Sequence, residues 1–222
     1  MIPSVALLTP TMSSRRFNLF RTLEQAYWNE WPFDEWLMIG AAAEFHGKGT
    51  WAKARVIPGR PTIGEQRQAG LEAAKGSDII VHIDDDDWYH PQRIQRQVQA
   101  LVDGALLVGT RQYYCAKPPT FDVVPCLQWE SETGCFPAGT MAYWREEGIK
   151  HGFAPGLGAE QAFQKAFPQD KVVDMKDPSL LVMIRHPHTT TGDDWCVKDW
   201  TLAASPQTLD PLLGPSWKRF TR

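Results

Sequence analysis

Residues 84–87 are four consecutive aspartates, set directly after Ile79-Ile80-Val81-His82-Ile83 and directly before Trp88-Tyr89-His90-Pro91. Four adjacent carboxylates repel one another unless a cation stands among them. A hard divalent ion, Mn2+ or Mg2+, with oxygen ligands and a phosphate-bearing substrate, would supply that charge. Two other residues could join the cluster: Glu160, early in a helical stretch, and His186, just after an apolar run. Carboxylates and one imidazole around a cation suit chemistry on a diphosphate leaving group, because the metal takes up charge on the departing phosphate. A carboxylate outside the cation's shell can take the proton of an attacking hydroxyl. An acidic run is more often a solvated surface loop. Few such loops, however, follow a core strand at the ligand-binding edge of an α/β sheet.

The elements that must position these residues are legible in outline. Residues 79–83 are short, apolar and β-branched, the pattern of a strand buried on both faces of a parallel sheet. Residues 2–11 predict a first strand running into a Thr9-Pro10-Thr11 turn, and residues 35–40 a second strand. Between them Ser13 or Ser14 can cap a helix with a stripe of Phe17, Leu19, Phe20, Leu23 and Tyr27. This alternation predicts an α/β, Rossmann-like sheet, mostly parallel and flanked by helices. Residues 41–62 read as a loop with a short third strand at 55–58. A helix over 65–76 closes on Gly76 as C-cap. Pro91 suits the first turn of the next helix, with Ile94, Val98 and Leu101 on one face and Arg93 and Arg96 elsewhere. Strands follow at 106–110 and 112–115, then a Pro-rich turn at 117–119. Residues 131–145 read as an antiparallel hairpin crossing beneath the site. Residues 156–167 are a loop entering a helix, and 172–175 and 180–184 are late strands.

Bulk properties bound the function. The 222 residues suit one domain over 1–222, with 196–222 as a tail packed on it. A net charge of −3 and pI near 6.1 imply no general affinity for nucleic acid or anionic lipid. Ten tryptophans spread along the chain can serve as core or as stacking surfaces for sugars and bases. Cys115, Cys126, Cys135 and Cys196 show no zinc spacing and no C-x-x-C pair. With no leader-like N-terminal stretch they predict reduced thiols in a cytoplasmic protein. No apolar run approaches the ~20 residues of a membrane span, so no integral membrane segment is expected. No Walker A loop or Gly-x-Gly-x-x-Gly follows a strand, which counts against kinase and dinucleotide chemistry.

Several segments together resemble the family-2-like glycosyltransferases of the GT-A fold. Val5-Ala6-Leu7-Leu8-Thr9-Pro10-Thr11 is similar to that family's opening strand, and Gly64-Glu65-Gln66-Arg67-Gln68-Ala69-Gly70-Leu71 to the helix before its metal strand. Asp84-Asp85-Asp86-Asp87 resembles its Asp-x-Asp-Asp segment. Gly139 to Arg145 resembles the strand beneath the acceptor, Gly158-Ala159-Glu160-Gln161 its Glu-Asp, and His186-Pro187-His188-Thr189-Thr190 its late His-x-x-Asn-Thr. The resemblance implies sugar transfer from a nucleoside-diphosphate sugar to a hydroxyl acceptor. It implies donor contacts from Thr9, Pro10, Arg67, Asp84 and Asp85, and Mn2+ or Mg2+ on Asp86, Asp87 and His186, with His188 as the rival of His186. It makes Glu160 the catalytic base of an inverting displacement. Since side chains alternate along an extended segment, Asp84 and Asp86 share one side and Asp85 turns toward backbone or solvent.

Two positions depart from the family. The Asp that grips the nucleobase after the second strand is replaced by Gly40-Ala41-Ala42-Ala43, with Glu44 further along as a substitute, and Glu-Asp becomes Glu160-Gln161. Two competing readings follow. One is a two-metal phosphoryl or nucleotidyl transfer enzyme on the same acidic cluster. The other is a degenerate, non-catalytic sugar-nucleotide-binding protein. The acceptor is a glycan, a small molecule or a modified DNA base. The last needs a basic track, for which Arg15-Arg16, Arg93-Arg96 and Lys218-Arg219 are the candidates. The oligomeric state is not encoded in any pattern seen here.

Overall fold

The computed structural model describes residues 2–11, 33–40, 52–55, 62–117, 122–127, 134–156 and 158–184, with backbone alone at 52–55, 117 and 122–127. Over these residues the strands are β1 (Val5–Thr11), β2 (Glu35–Gly40), β3 (Ala52–Arg55), β4 (Ile79–His82), β5 (Trp88–Tyr89), β6 (Leu107–Gly109), β7 (Gln112–Lys117), β8 (Asp122–Leu127), β9 (Ala142–Trp144), β10 (Val172–Asp174) and β11 (Leu181–Ile184). The helices are α1 (Ile63–Ala73), α2 (Arg93–Val102), α3 (Arg145–His151) and α4 (Ala159–Lys165). Seven of these strands form one sheet in the order β10-β6-β9-β4-β1-β2-β3, and β5-β11-β7-β8 form a second. In the larger sheet β3, β2, β1 and β4 run parallel, as do β6 and β10, and β9 lies antiparallel between β4 and β6. The expected mostly parallel α/β sheet is present.

Strand alternation builds a core on each face. Val5, Leu7, Ile79 and Val81 pack with Ile94, Val98 and Leu101 of α2 and with Tyr113 and Leu181 of the smaller sheet. Ala6, Leu8 and Ile80 point the other way, onto Leu71 of α1 and onto Tyr143, Phe163 and Phe167. A strand apolar on both sides is the signature of a sheet covered by helices. Each fully buried Leu, Ile or Val contributes about 1.5–3 kcal/mol, so the heights of the strand ends are tightly fixed.

The crevice arises where β1 and β4 part. β1 pairs with β2 as far as Thr11↔Gly40, but with β4 only as far as Leu8↔His82. The Leu8 carbonyl faces β4 and accepts from the Ile83 N–H at 3.0 Å. Pro10 has the same strand phase, so its missing N–H falls where β4 has already turned away. Thr9-Pro10-Thr11 is therefore strand rather than the expected turn. The gap lies at the topological switch point, where open α/β sheets bind ligands.

Other expectations shift for local reasons. β3 covers 52–55, and of the third strand expected at 55–58 residues 56–58 lie outside the described residues. α1 begins on a capping box, in which Thr62 Oγ1 accepts from the Glu65 N–H at 3.4 Å and the Glu65 carboxylate accepts from the Thr62 N–H at 2.6 Å. It ends at Ala73 with Ala74 as C-cap, so Gly76 does not close it. The hairpin expected over 131–145 is absent. Pro137 opens a one-turn 3-10 segment, Ala138–Thr140, closed by Thr140 Oγ1 donating to the Pro137 carbonyl at 2.8 Å. β9 then locks between β4 and β6, and α3 follows it directly. The antiparallel hairpin is β7–β8. Arg93 does not lie away from the apolar face of α2 but is buried beside it. The helix capped by Ser13 or Ser14 and the tail 196–222 lie outside the described residues. No helix among the described residues is long and apolar enough to cross a membrane.

Gly70 of α1 touches the sheet without a side chain. A Cβ there would lie 2.5 Å from Leu8 Cδ1 and 3.1 Å from Ile39 Cγ1. Gly70→Ala should lower stability by about 1–3 kcal/mol in urea denaturation despite the better helix propensity of alanine. An unchanged midpoint would show that α1 is free to lift off β1.

Candidate active site

The four aspartates follow β4 through a turn at 85–86, and their exposure alternates. Asp85 is 1% exposed and Asp87 4%, whereas Asp84 and Asp86 are half-buried. Asp85 accepts from the Thr11 hydroxyl at 2.7 Å, joining this turn to the end of β1. It is turned away from solvent, one of the two directions, backbone or solvent, that the alternation argument allowed. Asp87 Oδ1 accepts from the Ile184 N–H at 2.9 Å and ties the turn to β11. These two carboxylates serve as structural fasteners. Asp84 is gripped from other directions. Its N–H donates to Tyr89 Oη at 2.7 Å, and a Cβ on Gly139 would lie 2.6 Å from its Oδ2.

Arg67 connects separate segments. Its side chain is 6% exposed, with Nη2 3.9 Å from Asp84 Oδ1 and Nη1 3.5 Å from Glu160 Oε2. The two helices meet because Gly64, in the first turn of α1, lets the 154–159 segment approach. A Cβ on Gly64 would lie 2.1 Å from the Ala154 carbonyl oxygen and 2.9 Å from Ala159 Cβ. α4 starts after Gly158 in the left-handed conformation, φ 77°. Gln164 then holds it, accepting from the Phe136 N–H at 2.6 Å and donating to the Phe136 carbonyl at 2.9 Å. Glu160 faces Arg67, while Gln161 is exposed.

Not every expected contact falls at this edge. Thr9 is fully buried and its hydroxyl accepts from Trp36 Nε1 at 2.8 Å, so its side chain serves the β1–β2 interior. Gly40 has φ 130°, and a Cβ there would lie 2.2 Å from the Thr11 carbonyl oxygen. A side chain at Gly40 is therefore excluded, while Ala41, Ala42 and Ala43 lie outside the described residues. His186, its rival His188, Glu44, Arg15-Arg16 and Lys218-Arg219 lie outside the described residues. The remaining basic pair offers no track for nucleic acid. Arg93 is 1% exposed, and Arg96 Nη1 is 2.6 Å from Asp177 Oδ2.

Sequence reasoning missed Thr11, Tyr89, Arg93 and Gly139. Arg93 Nη2 donates to the His82 carbonyl at 2.7 Å, and its guanidinium lies 4.5 Å over the Tyr89 ring. Burial lowers its pKa to about 10, against the fields of Tyr89, Asp84 and Asp87, so it stays charged at neutral pH. Burial raises the Tyr89 phenol well above its ordinary range, with Asp84 and Asp87 adding to the shift. The one available signal was that Arg93 and Gln97 lie a turn apart beside Ile94, Val98 and Leu101, on a face that has to be buried.

Among the described residues no three His, Cys, Asp or Glu side chains form a ready-made metal cage. Mg2+-type ions need none, since they take one or two carboxylates and complete their shell with phosphates and water. The half-buried Asp86 carboxylate at the crevice is a hard oxygen donor of that kind.

Residues 46–151 match glycosyl transferase family 2. That region includes Arg67, Asp84–Asp87, Tyr89, Arg93 and Gly139, and stops short of Glu160. The fold is similar to S. aureus TarS 1-349 in complex with UDP-GlcNAc, at TM-score 0.59 and 11% identity over 86% of this chain. The chain spans 63% of that protein's length. It is also similar to glucosyl-3-phosphoglycerate synthase from Mycobacterium tuberculosis in complex with Mn2+, UDP and glucosyl-3-phosphoglycerate. There the TM-score is 0.59 and the identity 17%, over 86% of this chain and 74% of that one. At such identities the likeness is one of fold. No curated protein matches the chain.

His82, at the end of β4, gives the fold a pH signature. It is fully buried, with Nε2 2.8 Å from Tyr143 Oη. Burial, then Arg67 and Arg93, hold its pKa well below 6.5. The unfolded chain therefore takes up a proton near pH 6.5 that the native state refuses, and stability falls as pH drops through that range. The contribution is about 1.4 kcal/mol per pH unit below 6.5. Denaturation of wild type and His82→Gln between pH 7.5 and 5 should show this slope in the wild type and lose it in the variant. Equal slopes would mean that His82 protonates in the native state.

Proposed function

We propose that the chain transfers a sugar from a nucleoside-diphosphate sugar to a hydroxyl acceptor, depends on Mn2+ or Mg2+, and inverts the sugar carbon. The observation that carries this reading is the single buried arginine within 4 Å of both Asp84 and Glu160. It links the acidic segment and the candidate base, which are well separated along the sequence. The family match and the UDP-GlcNAc, UDP and Mn2+ in the neighbours' complexes support the donor class.

In this reading Pro10, Arg67 and Asp84 border the donor, with Asp85 supporting the turn from below. Asp86 would hold the metal, with His186 as a further ligand and Asp87 orienting the loop, and the metal would neutralise charge on the departing diphosphate. Arg67 holds Glu160 beside the donor. The acceptor oxygen attacks the sugar carbon as the bond to the diphosphate breaks, and its proton passes to the Glu160 carboxylate. One displacement inverts the centre. The acceptor is a glycan or small molecule bearing a hydroxyl. A modified DNA base is disfavoured by the buried Arg93 and the paired Arg96. The reading takes residues 1–222 as one such domain in the cytoplasm, on the cysteine spacing given above.

Calorimetry against a panel of nucleotide sugars, with and without Mn2+, tests the donor. Asp86→Ala should abolish metal-dependent donor binding. Glu160→Gln should keep that binding and slow transfer by about 10²–10⁴-fold. Full transfer by Glu160→Gln would remove the base assignment. Release of nucleoside monophosphate or inorganic phosphate in place of the diphosphate would point to phosphoryl chemistry.

A further inference from the structure

Arg93 is a second buried arginine at this site, and nothing in the proposed transfer uses it. It is buried on α2, with its guanidinium over the Tyr89 ring of the smaller sheet. Its Nε and Nη1 are buried and make no hydrogen bond. Leaving two buried donors of a charged group unpaired is costly. A methionine or leucine would fill the same space among Ile94, Val98 and Leu101 without that cost. The bonds the side chain does make all lead to the aspartates. Nη2 holds the His82 carbonyl, the last of β4, and the guanidinium lies over Tyr89, whose hydroxyl holds the Asp84 N–H.

We infer that Arg93 is a resident cation of the aspartate turn, a positioning residue that fixes Asp84 through Tyr89 and weakens divalent-metal binding at Asp86 to a releasable level. The inference rests on the metal-dependent reading above. The turn carries four carboxylates within four residues, two of them buried. A permanent positive charge beneath them relieves their repulsion while no metal is bound, so the turn keeps its shape between turnovers. The same charge repels the incoming ion.

Charge and geometry are separated by three variants. Arg93→Met removes both, Arg93→Lys keeps the charge but not the planar fork, and Tyr89→Phe keeps the charge and ring but removes the hydroxyl on Asp84. Binding of Mn2+ alone, read by electron paramagnetic resonance on the full chain, reports the charge. Donor KM and kcat report the geometry, and thermal melting reports folding. Arg93→Met should bind Mn2+ on the order of tenfold more tightly, because a buried like charge, stacked on the Tyr89 ring beside the turn, has gone. Arg93→Lys and Tyr89→Phe should bind Mn2+ as the wild type does and show a raised donor KM with kcat less affected. Tyr89→Phe is nearly isosteric and keeps the test open if both Arg93 variants fold poorly. Wild-type Mn2+ affinity in Arg93→Met, or an unchanged donor KM in Tyr89→Phe, would overturn the inference and leave the transferase reading standing. A wild-type chain that binds no Mn2+ would overturn both.

Discussion

Four carboxylates in a row cannot be left at the end of a buried strand without compensation, and the surrounding structure is arranged around that constraint. Asp85 and Asp87 turn inward and take hydrogen bonds from Thr11 and Ile184. Those two bonds tie the turn to β1 on one side and to β11 of the smaller sheet on the other. Asp84 and Asp86 are thereby left half-buried at the crevice. Two buried guanidiniums flank the turn, Arg67 from α1 and Arg93 from α2. Five carboxylates, counting Glu160, against two arginines leave the place acidic. A charge deficit of that sign is what a divalent ion and a diphosphate would complete together.

The two arginines divide the work by geometry. Among the described residues Arg67 makes long contacts, 3.9 Å to Asp84 and 3.5 Å to Glu160, and its Nε and Nη1 make no hydrogen bond. A guanidinium so loosely held at a crevice retains donors for a ligand. Arg93 is sealed beneath the turn and bonded to the main chain of β4. The glycines show how close the packing has to be. Gly64 admits the 154–159 segment to α1, Gly139 lies against Asp84, and Gly40 ends β2 against Thr11. A methyl group at any of the three would collide with backbone or with a site carboxylate.

Much of this was legible in the sequence because it rests on local patterns. The run at 79–83 announced a two-faced strand, the aspartates announced the crevice, and Glu160 was placed in the first turn of its helix. What sequence reasoning missed depends on partners distant along the chain. Asp85 was read as turning toward backbone or solvent, because nothing near it in sequence indicates that Thr11 reaches the same strand end. Arg93 looked like a surface arginine because a charged residue beside an apolar stripe is normally solvated. Tyr89 of β5, in the smaller sheet, packs its ring against it. The hairpin expected at 131–145 failed for a nearer reason. Pro137 and the 3-10 turn after it leave room for one strand, and that strand is taken up between β4 and β6. Gly40 ends β2 without a side chain, and a Cβ there would lie 2.2 Å from the Thr11 carbonyl oxygen.

The central claim is that the half-buried face of the aspartate turn holds a divalent ion. Anomalous diffraction from crystals grown with Mn2+ and a nucleoside diphosphate tests it most directly. The account predicts one manganese peak within about 2–2.5 Å of an Asp86 oxygen, bridged to the diphosphate. A bound nucleotide with no manganese at the turn, or a manganese peak away from Asp86, would contradict it.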